Sequence, residues 1–131
     1  MATTIYLASP GNRRFAELAK GFPVLLSFSQ TPEHVMQNAS TFSRILLDSG
    51  AFSMHTTGKT VEISEYQDWV SRFPYVDAVA GLDSIEGDHA LSLRNYSQME
   101  CFPTIHDTDP TDGGYLDELI SISREQGRNW L

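Results

Sequence analysis

The stretch Arg44-Ile-Leu-Leu-Asp-Ser-Gly-Ala-Phe-Ser53 constrains the fold most, because an uninterrupted apolar run ends directly on an acidic, hydroxylated, glycine-containing turn. Ile45, Leu46 and Leu47 lack the polar alternation of a strand with one wet face. Such a run suits a strand covered on both faces, and strands of that kind belong to parallel sheets. Gly50 lets the backbone turn without a Cβ penalty, while Asp48 and Ser49 can bond local amides or reach outward to a ligand. The stretch therefore reads as a buried strand that delivers Asp48 into a site.

The rest of the chain repeats that rhythm. Thr3 to Ala8 carries Ile5, Tyr6 and Leu7 and stops at the turn cluster Ser9-Pro-Gly-Asn12, which predicts a first strand. Phe15, Leu18 and Ala19 have helical spacing, with Gly21 in the place of a helix C-cap. Phe22 to Ser29 reads as a second strand, and Thr31-Pro-Glu33 as the capped start of a short helix ending near Ser40. Met54 to Lys59 reads as a loop. Ile63, Tyr66, Trp69, Val70 and Phe73 form one helical stripe that Pro74 closes.

Val76 to Leu82 is a further short strand that runs into Asp83-Ser84. Asp88 can cap a helix whose face is Ala90, Leu93, Tyr96 and Met99. Phe102 to His106 reads as a last strand. The polar loop Asp107 to Gly114 then leads into a helix with Leu116, Leu119 and Ile120 inward and Gly127 at its end. About five strands alternating with helices mean βαβ units, a parallel sheet and right-handed crossovers. Asp48, Asp83 and His106 all fall on the C-terminal edge of that sheet, where ligands bind in open α/β sheets and in barrels.

Composition narrows the partners. With 131 residues, 40% of them hydrophobic, the chain is expected to form one domain over residues 1–131 around one core. Seventeen acidic against nine basic residues give a formal charge of -8, which opposes sequence-independent binding to a phosphate backbone. Cys101 is the single cysteine, so no internal disulfide or multi-thiolate metal site is available, and a reducing, cytoplasmic setting is expected. The first residues lack the basic flank of a signal peptide, and no apolar run approaches the roughly 20 residues that span a bilayer, so no membrane partner is expected.

Two carboxylates at neighbouring strand ends can do several kinds of chemistry. They can accept the paired N–H donors on one edge of a purine, because an ionised carboxylate is acceptor-only with two oxygens. They can divide acid and base roles if their environments separate their pKa values. With His106 they can hold a divalent metal. The plainer alternative is that Asp48 and Asp83 only bond turn amides, and that His106 is structural. His34, His55 and His89 show no partner pattern and read as surface residues. Gly58-Lys59 lacks the full spacing of a phosphate loop, and Ser49 does not sit in a Gly-x-Ser-x-Gly elbow. Phe52 can stack on a planar base or join the core, whereas Tyr66 and Trp69 read as core.

Leu47-Asp-Ser-Gly-Ala-Phe52 resembles the Asp-Ser-Gly-Gly-Phe motif of the tRNA-guanine transglycosylase superfamily, with Ala51 in place of the second glycine. Ala80-Gly-Leu-Asp83, Leu93-Arg-Asn-Tyr96 and Phe102-Pro-Thr-Ile-His106 with Asp109-Pro110 are similar to its phage and bacterial members that act in 7-deazaguanine exchange. The likeness covers residues 40 to 120. It implies a (β/α)8 barrel and exchange of guanine for a deazaguanine through a covalent enzyme–nucleic acid intermediate.

On that resemblance Asp48 and Asp83 match the aspartates of the base pocket, with Ser49, Gly50 and Phe52 beside them, and His106 matches a histidine of the phage proteins. The family's nucleophilic aspartate and zinc-binding Cys/His cluster lie in the later half of the barrel, beyond the last residue here. The expectation is thus a partial (β/α)8 barrel, equivalent to its first half, that binds a purine or 7-deazapurine base. No metal or other cofactor is assigned to it. The nucleic acid carrying the base is an implied partner, and a second copy or another protein is expected to complete the sheet. Two alternatives stay open: a non-catalytic acidic protein of phage type that binds and modulates a host protein, and a metal-dependent barrel-type enzyme.

Overall fold

The computed structural model describes residues 2–107, 109–110 and 113–126. It is a mixed α/β structure in which a four-stranded, all-parallel sheet alternates with helices. The strands are β1 (Leu7–Ala8), β2 (Pro23–Ser27), β3 (Arg44–Asp48) and β4 (Ala78–Val79), hydrogen-bonded in the order β1-β2-β3-β4. β2 and β3 pair along their whole length, from Pro23 opposite Arg44 to Ser27 opposite Asp48. Beyond β4 the pairing continues as one parallel bridge between Ala80 and Phe102. The expected last strand is therefore reduced to a single bridge, and the first is shortened to Leu7–Ala8.

The helices are α1 (Arg13–Leu18), α2 (Glu33–Gln37), α3 (Ala51–Thr56), α4 (Ile63–Ser71), α5 (His89–Ser97) and α6 (Gly114–Glu125). Val24, Leu26, Ile45 and Leu47 are buried at alternate positions of the two central strands. They join Val35, Tyr66, Trp69 and Phe73 in one core. Leu25 and Leu46, on the opposite face, are only half-buried, so β3 is not covered equally on both faces as its apolar run implied. Trp69 is the centre of the aromatic packing. Its ring lies 5.3 Å from Phe28 and 4.8 Å from Phe73, both edge-on, which is a favoured arrangement for aromatic quadrupoles.

The stripe on α4 packs as its spacing predicts, and Asp88 caps α5 by accepting from Leu91 N at 3.0 Å. Other expectations need correction. Residues 54–59 are not all loop, because α3 begins directly after Gly50 and runs to Thr56. On α1 the inward residues are Ala16 and Ala19, while Phe15 and Leu18 are 61% and 66% exposed. Ala16 and Ala19 join the core cluster that also holds Val24, Leu26 and Val35. On α5 Ala90 is exposed, and Ser92, Asn95 and Tyr96 form the buried face. On α6 the buried positions are Leu119 and Ser123, flanked by Tyr115 and Ile122. Thr31 does not cap α2; its hydroxyl donates to Ser27 O at 2.7 Å, and Pro32 occupies the cap position. The expected stop at Gly127 lies outside the described residues. Among the described residues no helix is long and apolar enough to cross a membrane.

Candidate functional site

Gly50 sets the geometry at the end of β3. Its φ of +68° places it in the left-handed region, which lets the chain turn from the strand straight into α3. A Cβ at this position would lie 2.4 Å from Ser29 Oγ and 2.7 Å from Ser27 Oγ, so only glycine fits against the end of β2. Asp48 Oδ2 accepts from Gly50 N at 2.9 Å, and Ser49 Oγ accepts from Ala51 N at 3.3 Å. The bland expectation for these two residues, a bond to turn amides, is thus realised. Asp48 remains half-exposed, however, and among the described residues its second oxygen has no hydrogen-bond partner.

Asp83 follows β4 on the neighbouring strand, and its side chain is only 7% exposed. One oxygen, Oδ2, lies 2.5 Å from His106 Nε2. His106 is in turn held by its backbone N–H, which donates to Asp109 Oδ2 at 2.8 Å. The other oxygen of Asp109 lies 2.9 Å from His89 Nε2, whose ring packs 4.4 Å from Tyr115. Two imidazole–carboxylate pairs therefore fasten the loop after Phe102 to the β4 end and to α5. His89 belongs to this network and is not a surface residue. His34 is also half-buried, with Nε2 enclosed and lacking a hydrogen-bond partner among the described residues.

Tyr66 is buried in the core and bonded to the strand that leads to Asp83. Its hydroxyl donates to Ala80 O at 2.7 Å, and burial pushes its ionisation far above the ordinary tyrosine range, with the charges of Asp48, Cys101 and Asp83 adding to the rise. Both aspartates thus act on the same phenol from one edge of the sheet. Asp83 also adds to the upward shift of Tyr96, where burial is again the main cause. Tyr115 is raised by burial, then by Asp109 and Asp83, against a hydrogen bond with Ser92 that lowers it.

A cleft of about 290 Å³ opens beside Asp83, between α3 with its following loop and the segment joining β4 to α5. Asp83, Ser84 and Asn95 are among its polar walls, Met54, Leu82 and Leu91 among its apolar ones, and His55, Lys59 and Glu86 also line it. Of the six residues expected to bind a ligand, only Asp83 lines this cleft. Asp48, Ser49, Gly50 and His106 lie outside its lining, and Phe52 is 68% exposed. Asp48 and Asp83 are thus brought to one sheet edge but do not face a common enclosed pocket.

The sequence points to Asn95 and Asp109 only within motifs of the resemblance and gives neither a site role, and it does not place Lys59 at the cleft. A polar residue inside the buried stripe Ser92–Asn95–Tyr96 and an aspartate three residues after His106 were the available signals. Among the described residues no three His, Cys, Asp or Glu side chains are grouped as a metal ligand set, and Asp48, Asp83 and His106 are all described. No protein-family model, curated protein or solved structure matches the chain.

Proposed function

We propose that this chain is a base-binding domain of transglycosylase type, which receives a purine or 7-deazapurine base in the cleft beside Asp83. The observation that carries this reading is the state of Asp83: a carboxylate 7% exposed, fixed through one oxygen by His106, at the wall of a cleft. A buried acceptor held in one orientation is suited to the N–H donors of a heterocycle. The volume lies near the lower end of ordinary ligand pockets, about 300–1,000 Å³, which suits one small planar ring system better than an extended ligand.

The strand order supports the partial-barrel part of the reading. Each parallel strand lies beside its sequence neighbour, and the Ala80–Phe102 bridge extends that order, as in the wall of a barrel; a doubly wound sheet would reverse direction at a switch point. Asp48 stands at the same sheet edge but outside the lining of this cleft, so no contact with the base is assigned to it. Among the described residues β1 is an edge strand of the sheet, with Leu7 and the nearby Ile5 exposed, and it is the edge at which a second copy or another protein would extend the sheet. The proposal is of base binding, and no group that attacks a sugar carbon is assigned.

Calorimetric titration of the chain with 7-deazaguanine tests the reading. Binding that Asp83→Asn weakens by tenfold or more, in a chain that is still folded at the temperature of titration, is the expected result. Absence of binding, or equal binding by the Asp83→Asn chain, overturns it.

A further inference from the structure

The helices beside a parallel sheet follow the order of its strands, so each end of the layer shows which helix flank lacks a neighbour. At the first end stands α1. Arg13 and Glu17 of α1 border one groove with His34 and Gln37 of α2, which places α2, the next helix of the layer, on that flank. Ala16 and Ala19 face the core. At about 100° per residue, Phe15 and Leu18 are turned about 160° and 140° from Arg13, on the other side of the two alanines. They therefore lie on the flank away from α2, the outer one of a sheet whose edge strand is β1, and they are 61% and 66% exposed.

The other end is formed by α6. Its Tyr115 ring lies 4.4 Å from that of His89 on α5, and Gln126 Nε2 donates to Tyr96 O of α5 at 2.8 Å, so α5 covers this flank. Leu119 faces the core. Leu116 and Ile120 are turned about 100° and 140° from Tyr115, on the far side of Leu119. Both are only half-buried, and neither is among the residues packed on the core. Each end of the layer thus carries two large apolar side chains on its outward flank. Their charges are opposite. Up to Pro32 the chain has Arg13, Arg14 and Lys20 against Glu17 alone, whereas Glu100 to Gln126 holds seven acidic residues against Arg124. Arg14 borders the first apolar pair and Asp117 the second, and neither has a partner among the described residues.

We infer that the two ends are the two halves of one interface, through which a second copy of this chain joins head to tail with its α6 beside α1. Helices that follow parallel strands run in one direction, so α1 and α6 dock as parallel neighbours. Counted from the helix starts, Phe15 then stands level with Leu116 and Leu18 close to Ile120. Arg14 falls within about one turn of Asp117, and Arg124 lies about two turns further on. A head-to-tail contact is satisfied throughout only when the copies close into a ring, and two copies make the smallest one. The inference concerns the ends of the layer and does not rest on base binding in the cleft.

Sedimentation equilibrium over a wide range of concentration tests it. The wild type is expected to reach a plateau at the mass of two copies. Phe15→Glu buries an unpaired charge at the contact and is expected to weaken association by about tenfold or more. Arg14→Glu and Asp117→Lys each set like charges opposite one another; each is expected to weaken association about tenfold, and the double variant to recover most of the loss. A wild type that stays monomeric at every concentration overturns the inference, as does a mass that climbs without a plateau, the sign of an open chain of copies. A dimer unchanged by Phe15→Glu and Arg14→Glu uses another surface and overturns it too. Losses that simply add in the double variant overturn the pairing of the two ends. Should Phe15→Glu fail to fold, the exposed charges at Arg14 and Asp117 decide alone.

Discussion

His106 Nε2 lies 2.5 Å from Asp83 Oδ2, so the loop after the Phe102 bridge holds one end of the carboxylate that borders the cleft. Removing the imidazole leaves a nearly buried carboxylate short of a partner. His106→Ala is expected to cost about 1–2 kcal/mol, with the lower part of the range favoured because His106 is itself about a third exposed. His106→Gln, which retains a donor, should recover part of the loss. Chemical denaturation of the three proteins reads this directly, and an unchanged midpoint for His106→Ala would show that the pair contributes no stability.

Gly50→Ala should destabilise by roughly 2–4 kcal/mol, from the left-handed backbone together with the clash against Ser27 and Ser29. Gly58→Ala is the control. It has a similar φ of +69° but nothing within 4 Å of its added Cβ, so it should cost only the backbone part, about 1 kcal/mol. Equal losses at the two sites would mean that the close approach of β2 and β3 at Gly50 is not a tight one.

The contrast between those glycines shows how much was legible beforehand. The run Ile45-Leu46-Leu47 and the turn at Gly50 announce a strand and its end from local chemistry alone, and the α4 stripe announces its own buried face. What periodicity does not encode is which face of a short helix meets the core. On α1 it is Ala16 that is buried, and Phe15 that is exposed. Asp83 and His106 are recognisable as strand-end residues, but their pairing depends on a crossover through α5, and the link to Asp109 and His89 depends on how the following loop folds back. Asn95 is hidden for the same reason: an asparagine in a helix is ordinary until its partner, Leu82 O, is known.

Gly81 is constrained by packing alone. A Cβ there would come within 2.3 Å of two ring carbons of Tyr96 and 3.1 Å of Cys101 Sγ, although its backbone is outside the left-handed region. Gly81→Ala is expected to cost about 1–3 kcal/mol by overpacking. Tyr96→Leu vacates part of the ring volume, so the double variant should be more stable than the sum of the two separate losses predicts. Strict additivity in thermal melts would mean that Tyr96 is not what excludes a side chain at position 81.

Alkaline pH provides an independent probe of the core beneath the site. Tyr66 and Tyr96 ionise far above their ordinary range when folded, mainly through burial, and Tyr115 is also raised. The folded state keeps these protons where the unfolded chain releases them. Their contribution is fully present below the unfolded pKa of about 10 and is lost as pH rises above it towards the folded values. Unfolding free energy should therefore fall steeply above pH ~10, and absorbance titration should show Tyr66 and Tyr96 ionising together with loss of structure. Tyr66→Phe removes one buried phenol and also its bond to Ala80 O, so it should lower stability near neutrality and flatten the alkaline decline. Full phenolate formation in a still-folded chain would contradict the burial of both rings.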